Sequence, residues 1–184
     1  MKISTKEMIL VSLFTALTAI GAFLSIPLGD IYITLQSMFT ILAGLLLGPK
    51  LGSLSQLVYV LLGLSGVRIF AGFSGGPQAI LKPSFGFLIG FIFAAFIVGK
   101  IVHNGEIIYF RRIFLATLAG TFVIYLFGLP FMYIILNNVM GKAISFPATI
   151  KTGCLIFLPG DLLKATLSTL VATKVLRRVN VAKL

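Results

Sequence analysis

The stretch PSFGFLIGFIFAAFIV, residues 83–98, contains no charged side chain and is bounded by Lys82 and Lys100. Long apolar runs separated by Gly, Pro and Lys are typical of helices that cross a membrane. The chain around this stretch has 184 residues, of which 59% are hydrophobic and only 10% are charged, and its mean hydropathy is +1.13. A soluble domain carries roughly 25% charged residues. The composition therefore predicts an integral membrane protein built from helices, because a β-barrel would show short alternating strands instead.

Six apolar segments predict an all-α bundle of six transmembrane helices in a single membrane domain, residues 1–184. The segments are residues 8–26, 37–47, 51–64, 83–98, 113–136 and 160–175. The second and third are short for a crossing, which takes about 20 residues, and could form one interrupted segment. We favour two helices joined by the GPK turn at 48–50, and we expect Gly128 and Pro130 to kink the fifth. We expect the first segment to be retained rather than cleaved as a signal peptide, because its apolar run continues and more spans follow.

The positions of Lys and Arg predict the orientation of the bundle. With six spans, one side of the membrane carries both termini and most of the basic residues: Lys2, Lys6, Lys50, Lys100, Arg111, Arg112, Lys174, Arg177, Arg178 and Lys183. The other side carries only Arg68, Lys82, Lys142 and Lys151. The positive-inside rule then places both termini in the cytoplasm. Three unusual stretches, at 29–36, 66–78 and 157–164, therefore share the outer side and predict an outward-facing site.

The residues needed for several chemistries are missing from the sequence. A nucleotide-binding loop needs G-x-x-x-x-G-K-[ST], but Gly141-Lys142 is followed by Ala143, and no GxG occurs, so we expect no ATP hydrolysis by this chain. The chain has only four carboxylates: Glu7, Asp30, Glu106 and Asp161. They cannot form a paired site for metal or acid–base chemistry inside the membrane. We expect His103 to be solvated and without a role, and Cys154 to be an inert thiol.

The basic residues sit singly at the ends of spans rather than on one face, which argues against nucleic-acid binding. Partners are therefore expected among membrane lipid, other membrane proteins and small solutes. Binding, rather than catalysis, is the function that the remaining polar residues favour.

The stretch FLPGDLLK, residues 157–164, places two charges at the start of a predicted span. Pro159-Gly160 interrupts any preceding helix, so we expect Asp161 at or near the N-cap of the next one. A carboxylate there accepts hydrogen bonds from free backbone N–H groups. Lys164 follows three residues later on the same helix face. Ionisable residues inside a span are expensive and indicate function, so we favour a ligand-binding pair. The alternative is a structural pair in which each charge neutralises the other.

The two other outer loops carry further candidates. In the long third loop, glycines around Ser74 would let the backbone approach a ligand, and aromatic residues could cover an apolar ring. These residues are Gly72, Gly75, Gly76, Phe70 and Phe73. The loop is therefore either a lid or a flexible surface turn. The first loop offers Tyr32, Thr34 and Gln36, whose polar groups either bind a ligand or satisfy backbone groups at a helix end.

The first span carries small residues at i,i+4 spacing, which let membrane helices approach each other closely. The pairs are Ser12 with Ala16, Thr15 with Ala19, and Thr18 with Ala22. This pattern fits packing within the bundle and docking of another subunit equally well.

Several motifs, in order along almost the whole chain, resemble the BioY family, the biotin-specific substrate-binding S components of energy-coupling-factor (ECF) transporters. The motifs are ITLQ (33–36), LLGPKLG (46–52), LLGLSG (61–66), FAG-x-x-GG (70–76), PSFGFLIGF (83–91) and FLPGDLLK (157–164). The resemblance implies a six-helix S component in a prokaryotic cell membrane that captures biotin from outside and holds no cofactor of its own. Its partners would be a scaffold transmembrane subunit and two ATPase subunits that use ATP.

The resemblance also implies roles for individual residues. Those expected to bind substrate are Asp161, Lys164, Ser74, Gly75, Gln36, Tyr32, Phe70 and Arg68, and those expected to dock on the scaffold are Thr15 and Ala19. Asp161 would accept from the ureido N–H groups of biotin, Lys164 would donate to a ligand oxygen, and Phe or Tyr side chains would pack on the thiophane ring. Arg68 stands where many relatives carry proline, and it either meets the ligand carboxylate or faces water.

Two other classes of function remain open at this point. A stand-alone secondary transporter of a small vitamin-like solute would want acids inside the membrane and internal repeats, and only Asp161 is available. A membrane enzyme, such as a lipid-modifying transferase, would want clustered Asp, Glu or His, which the sequence lacks. We therefore favour the biotin-binding subunit.

Overall fold

A computed structural model describes residues 3–104 and 109–178 of the protein. Helices dominate this part of the chain, and its one sheet is a two-stranded hairpin. The elements in chain order are α1 (Thr5–Phe23), β1 (Ser25–Leu28), β2 (Ile31–Thr34), α2 (Gln36–Leu64), a 3₁₀ turn (Pro77–Leu81), α3 (Phe85–His103), α4 (Phe110–Ile134), α5 (Phe146–Ile150) and α6 (Leu158–Arg178). Two wider π-helical turns, Ile135–Val139 and Lys151–Leu155, prolong α4 and α5.

Among the described residues, four helices are long and apolar enough to cross a membrane: Thr5–Phe23, Gln36–Leu64, Phe85–His103 and Phe110–Val139. The segments Phe146–Leu155 and Leu158–Arg178 meet at a bend of 42° and together would make a fifth. The prediction of a helical membrane protein is therefore confirmed.

Helix α2 reverses direction at Gly48, so its two halves lie side by side. Gly48 has a backbone φ of 79°, a left-handed value that glycine adopts without strain, and Pro49 follows it. The side-chain amide of Gln36 donates to the hydroxyl of Tyr59 at 2.8 Å. An unbroken helix would hold these two residues about 35 Å apart, at a rise of about 1.5 Å per residue. The two halves therefore run antiparallel around the GPK turn.

The reversal leaves one carbonyl without its helical partner, and His103 supplies a replacement. Pro49 has no N–H, so the carbonyl of Leu45, four residues earlier, cannot receive the usual helical hydrogen bond. The Nε2 atom of His103, in the last turn of α3, lies 3.0 Å from this oxygen and donates to it in the Nε2–H tautomer. The expectation that His103 is solvated and without a role was therefore wrong, because the half-buried ring ties α3 to the turn.

Small residues let α3 pack closely against both neighbouring helices. A side chain at Gly44 of α2 would stand 3.0 Å from the Cα atom of Ala95 on α3, and one at Gly90 would stand 3.0 Å from the backbone of Ile124 on α4. Real Cβ atoms rarely come so close, so the backbones touch directly, as small residues permit in membrane proteins. Almost fully buried apolar side chains of α2, α3 and α4 form one core cluster: Ile41, Leu45, Val98, Ile113 and Ala116.

A buried polar cluster joins α1 to both halves of α2. The Oε1 atom of Gln56 accepts from the hydroxyls of Thr18 and Thr40, at 3.4 and 3.0 Å. The amide nitrogen of Gln56 donates to the hydroxyl of Ser55 at 3.1 Å, and the carbonyl of Ser55 accepts from Thr15 at 2.9 Å. These polar groups satisfy one another inside the protein, as a position away from water requires.

The first span ends earlier than predicted. Helix α1 stops at Phe23 instead of residue 26, because Ser25–Leu28 pairs with Ile31–Thr34 as an antiparallel hairpin. At the tip of the hairpin, Asp30 forms an ion pair with Lys142, which lies in the segment after α4. The Nζ and Oδ2 atoms are 2.6 Å apart. Both side chains of this pair are partly exposed.

The last predicted loop and span also differ from expectation. The loop after α4 contains α5, and α6 begins at Leu158 instead of residue 160. Pro159 fits this position, because the first turn of a helix makes no use of its missing N–H. Earlier, α4 runs through Gly128 and Pro130 to Ile134 as one helix.

Candidate functional site

A cavity lies where the hairpin, the segment between α2 and α3, and the start of α6 meet. It encloses about 90 Å³, several times the roughly 10–15 Å³ that one enclosed water occupies. The predicted binding residues that line it are Tyr32, Gln36, Phe70, Ser74, Asp161 and Lys164. The three stretches that the sequence placed on one side of the membrane thus contribute to one cavity.

Asp161 and Lys164 form an ion pair in the cavity wall. The Nζ atom of Lys164 donates to Oδ1 of Asp161 at 2.9 Å, and the two side chains are only 11% and 12% exposed. Lys164 also donates to the hydroxyl of Ser37 on α2 at 3.3 Å. The phenol of Tyr125 on α4 donates to Oδ2 of Asp161. The pair therefore joins α6 to two other helices, α2 and α4.

Asp161 is not the helix cap that the sequence suggested. It lies inside the first turn of α6, where its backbone N–H donates to the carbonyl of Phe157 at 2.9 Å. Its carboxylate is bound by Tyr125 and Lys164 instead of by backbone N–H groups at the helix end. The position remains favourable for a negative charge, because the positive end of the helix dipole is there.

The segment between α2 and α3 closes on itself and covers one side of the cavity. Phe70 and Ser74 exchange two backbone hydrogen bonds, at 2.9 and 3.3 Å, and the hydroxyl of Ser74 donates to the carbonyl of Ala71 at 3.0 Å. Phe70 is almost fully buried. Gly72, with φ of 69°, lies so close to Tyr32 that a Cβ atom there would stand 2.6 Å from the phenol oxygen. The segment therefore packs onto the hairpin across the cavity.

Phe73 connects the tip of this segment to α1. Its backbone φ of 52° is left-handed, which is uncommon for a residue with a bulky side chain. Its exposed ring stacks on Phe23 at the end of α1, with the ring centroids 5.1 Å apart. This stack is a link between the cover of the cavity and the first helix.

Gln36 links the start of α2 to the same segment. Its amide donates to the hydroxyl of Tyr59, which in turn donates to the carbonyl of Ile69 at 2.8 Å. The hydroxyl of Thr34 accepts the backbone N–H of Gln36 at 3.3 Å. Thr34 thus contacts a backbone group at the helix end, and it also lines the cavity together with Gln36 and Tyr32.

A second cation, Lys82, lines the cavity from the end of the 3₁₀ turn. Most of the remaining wall is aromatic and aliphatic: Phe85, Phe87, Leu88, Phe91 and Ile124. Apolar walls with a few polar groups are typical of sites for small molecules. The cavity can therefore hold an apolar ring between separate polar contacts.

Two predicted binding residues do not line the cavity. Gly75 packs against the backbone carbonyl of Val67, which leaves no room for a side chain. Arg68 is exposed to solvent. For Arg68 the structure agrees with the alternative in which the side chain faces water.

The two predicted docking residues are buried inside the chain. Thr15 is 6% and Ala19 is 9% exposed, and the hydroxyl of Thr15 donates to the carbonyl of Ser55. This burial argues against docking through these two residues, because their face of α1 packs against α2. Of the small-residue pairs on this helix, the exposed one is Ser12 with Ala16.

Sequence reasoning missed five polar residues of the lining: Ser37, Lys82, Ser84, Thr121 and Tyr125. Lys82 was treated only as a loop charge, although its place directly before a span was a usable signal. Tyr125 lies in the middle of an apolar span, and a phenol in such a segment is compatible with many roles. Only the packing of α4 against α6 brings it to the ion pair.

The architecture and cavity define a multi-pass membrane protein with a cavity suited to a small molecule at one end of a helical bundle. The family model described as the BioY family matches residues 1–181, and the chain belongs to that family. It is 41% identical to a probable biotin transporter BioY of Pyrococcus horikoshii, over 92% of this chain and 95% of that protein. It is 36% identical to the biotin transporter BioY of Thermotoga maritima, over 92% and 95% of the two chains.

A solved structure has the same fold. The crystal structure of the S-component for biotin from an ECF-type ABC transporter matches with a TM-score of 0.73 and 29% identity, over 94% of this chain and 91% of that one. The resemblance to BioY proteins that the motifs indicated is thus confirmed.

Proposed function

We propose that the protein is the biotin-binding membrane subunit of an ECF-type uptake transporter and that the cavity is its biotin site. The observation that carries this proposal is the Asp161–Lys164 pair in the wall of a largely apolar cavity. A buried ion pair adds little net stability, because removing two charges from water is costly. A pair that borders an open cavity therefore supports a ligand-binding role. Relatives named as biotin transporters support the choice of ligand.

Biotin carries groups that suit this lining. Its ureido ring has two N–H donors and one carbonyl acceptor, beside an apolar thiophane ring and a side chain that ends in a carboxylate. We assign the ureido N–H groups to Asp161 and the ureido oxygen to Lys164. The thiophane ring then packs among aromatic side chains such as Phe70 and Phe87. Lys82 is the other cation of the lining and pairs with the ligand carboxylate.

We also propose that the chain crosses the membrane six times, with both termini in the cytoplasm. The antiparallel halves of α2 support two separate crossings, and the short helix α5 is then not a crossing. Basic residues occur at the other ends of the helices, at Lys50 beside the reversal, at Arg111 and Arg112 on α4, and at Arg177 on α6. Under the positive-inside rule, these ends are cytoplasmic and the cavity opens outward.

Active uptake needs an energy source that this chain is not expected to supply. We propose that a scaffold transmembrane subunit and two ATPase subunits provide it by using ATP, and that no cofactor resides in this chain. The surface of α1 that carries Ser12 and Ala16 replaces Thr15 and Ala19 as the docking candidate. Its small side chains would let a partner helix approach closely.

Ligand identification tests the proposal. The purified protein is examined by mass spectrometry for a co-purifying small molecule and is then titrated with biotin, desthiobiotin and lipoate in a calorimeter. Desthiobiotin keeps the ureido ring and the carboxylate, whereas lipoate keeps a carboxylate and a sulfur ring but lacks the ureido group. We expect biotin and desthiobiotin to bind and lipoate to fail. Absence of biotin binding, or equal binding of lipoate, would overturn the assignment.

A further inference from the structure

We infer that Tyr125 is a positioning residue that sets the orientation of the Asp161 carboxylate in the ligand site. The inference rests on the proposed biotin site and deepens it. Tyr125 lines the cavity from α4, and its phenol donates a hydrogen bond to Oδ2 of Asp161 on α6.

The carboxylate of Asp161 is held at both oxygens by donors from different helices. Lys164 of α6 holds Oδ1 at 2.9 Å, and Tyr125 of α4 holds Oδ2. The terminal torsion of an aspartate side chain is broad on its own. Two donors, one on each oxygen, restrict the range of this torsion. The remaining lone pairs of the Asp161 carboxylate then point in a fixed direction. The carboxylate is thereby ready to accept N–H donors from a ligand such as a cyclic urea.

Tyr125 is itself fixed by its surroundings. The ring of Phe87 on α3 meets it edge to face, with the centroids 6.2 Å apart and an angle of 84° between the planes. The single phenolic hydrogen is used on Asp161, so Tyr125 presents only acceptor lone pairs to the cavity. The arrangement therefore links α3, α4 and α6 at the point where the ligand is recognised.

A second polar contact between α4 and α6 provides a matched control. The hydroxyls of Thr117 and Thr169 lie 3.3 Å apart, both residues are fully buried, and neither lines the cavity. If Tyr125 only joined the two helices, Thr117→Val and Tyr125→Phe would have similar consequences. If Tyr125 positions Asp161, only Tyr125→Phe changes the carboxylate.

The carboxylate can be observed directly, without any ligand. The chain has two aspartates, Asp30 and Asp161. In an Asp30→Asn background, labelling aspartate with a heavy carbon isotope leaves Asp161 as the one labelled carboxylate in an infrared difference spectrum. We expect its stretching band to shift in Tyr125→Phe and to stay in place in Thr117→Val. An unshifted band in Tyr125→Phe overturns the inference, whatever ligand the protein binds.

Biotin titration gives the second test. We expect Tyr125→Phe to weaken biotin binding about 10- to 100-fold, and Thr117→Val to change it less than about 2-fold. In an Asp161→Asn background, Tyr125→Phe should have less than about a 3-fold effect, because the group that it orients is gone. Equal losses in both backgrounds would overturn the positioning role. A shifted band in a protein that does not bind biotin would instead count against the proposed function.

Discussion

Neutralising Asp161 alone, and then both charges of the buried ion pair, separates ligand recognition from stability. Asp161→Asn keeps the volume of the side chain but leaves Lys164 without its counter-ion in a site where it is only 11% exposed. Breaking a buried pair costs about 3–5 kcal/mol. We expect about 3 kcal/mol in the free energy of unfolding, at the lower end of that range, because Ser37 still contacts Lys164.

Biotin binding should be lost by a separate route. Asparagine presents an N–H₂ group where the ureido N–H donors approach, and losing hydrogen bonds to a charged acceptor costs about 1.5–3 kcal/mol, or roughly 10- to 150-fold in Kd. Adding Lys164→Met to Asp161→Asn removes the unpaired charge and should recover much of the lost stability. It should not recover biotin affinity. Thermal unfolding and calorimetric titration of the same preparations measure both quantities.

The exposed pair of the hairpin is the control. Asp30 and Lys142 are partly exposed, at 31% and 45% of their side chains, and exposed pairs contribute about 0–1 kcal/mol. Asp30→Asn should therefore leave unfolding nearly unchanged and affect biotin affinity little. If the variant that lacks both Asp161 and Lys164 binds biotin like the wild type, the pair is structural and the reasoning is refuted.

Three other substitutions test separate parts of the structure. His103→Ala leaves the carbonyl of Leu45 without a donor and should lower the free energy of unfolding by about 1–3 kcal/mol; His103→Gln, which keeps an N–H, should recover part of the loss in thermal unfolding. Gly72→Val forces a β-branched residue into a left-handed conformation against Tyr32. We expect biotin to dissociate about tenfold faster in stopped-flow measurements. An unchanged dissociation rate would argue against a covering role for this segment. Ala16→Leu should impair uptake by the complete transporter while leaving biotin affinity intact, and normal uptake would exclude this surface from docking.

The ion pair could be predicted because charge is scarce in this sequence. Asp161 and Lys164 stand out in an apolar context, and the count of basic residues put them on the same side as the two other unusual loops. The reversal at Gly48 was also accessible, since Gly-Pro-Lys between two short apolar runs predicts a turn. The turn and the charged pair are local signals, and the charge count needs only the order of the spans, so none of them depends on contacts between helices.

The sequence pattern did not predict which residues of different helices contact each other. On α1, the pair Thr15 and Ala19 lies three residues from the pair Ser12 and Ala16, so the two pairs occupy adjacent strips of one helix. Only the rotation of α1 against α2 decides which strip is buried. Tyr125 shows the same limit, because its partner is 36 residues away and on another helix.

The glycine contacts of α3 distinguish the tightly packed helices from the two loops that cover the cavity. At Gly44 and Gly90 the backbones of α2, α3 and α4 are in direct contact. No side chain lies between the helices at these points, so none can move aside to open a path. A ligand could pass between α2, α3 and α4 at this level only if these helices separated. The hairpin and the segment 70–76 meet where Gly72 packs against the phenol of Tyr32, and the ring of Phe73 joins this segment to α1. We therefore expect the rate of ligand loading to depend on these two loops, and the stability of the fold in the bilayer to depend on the helices beneath them.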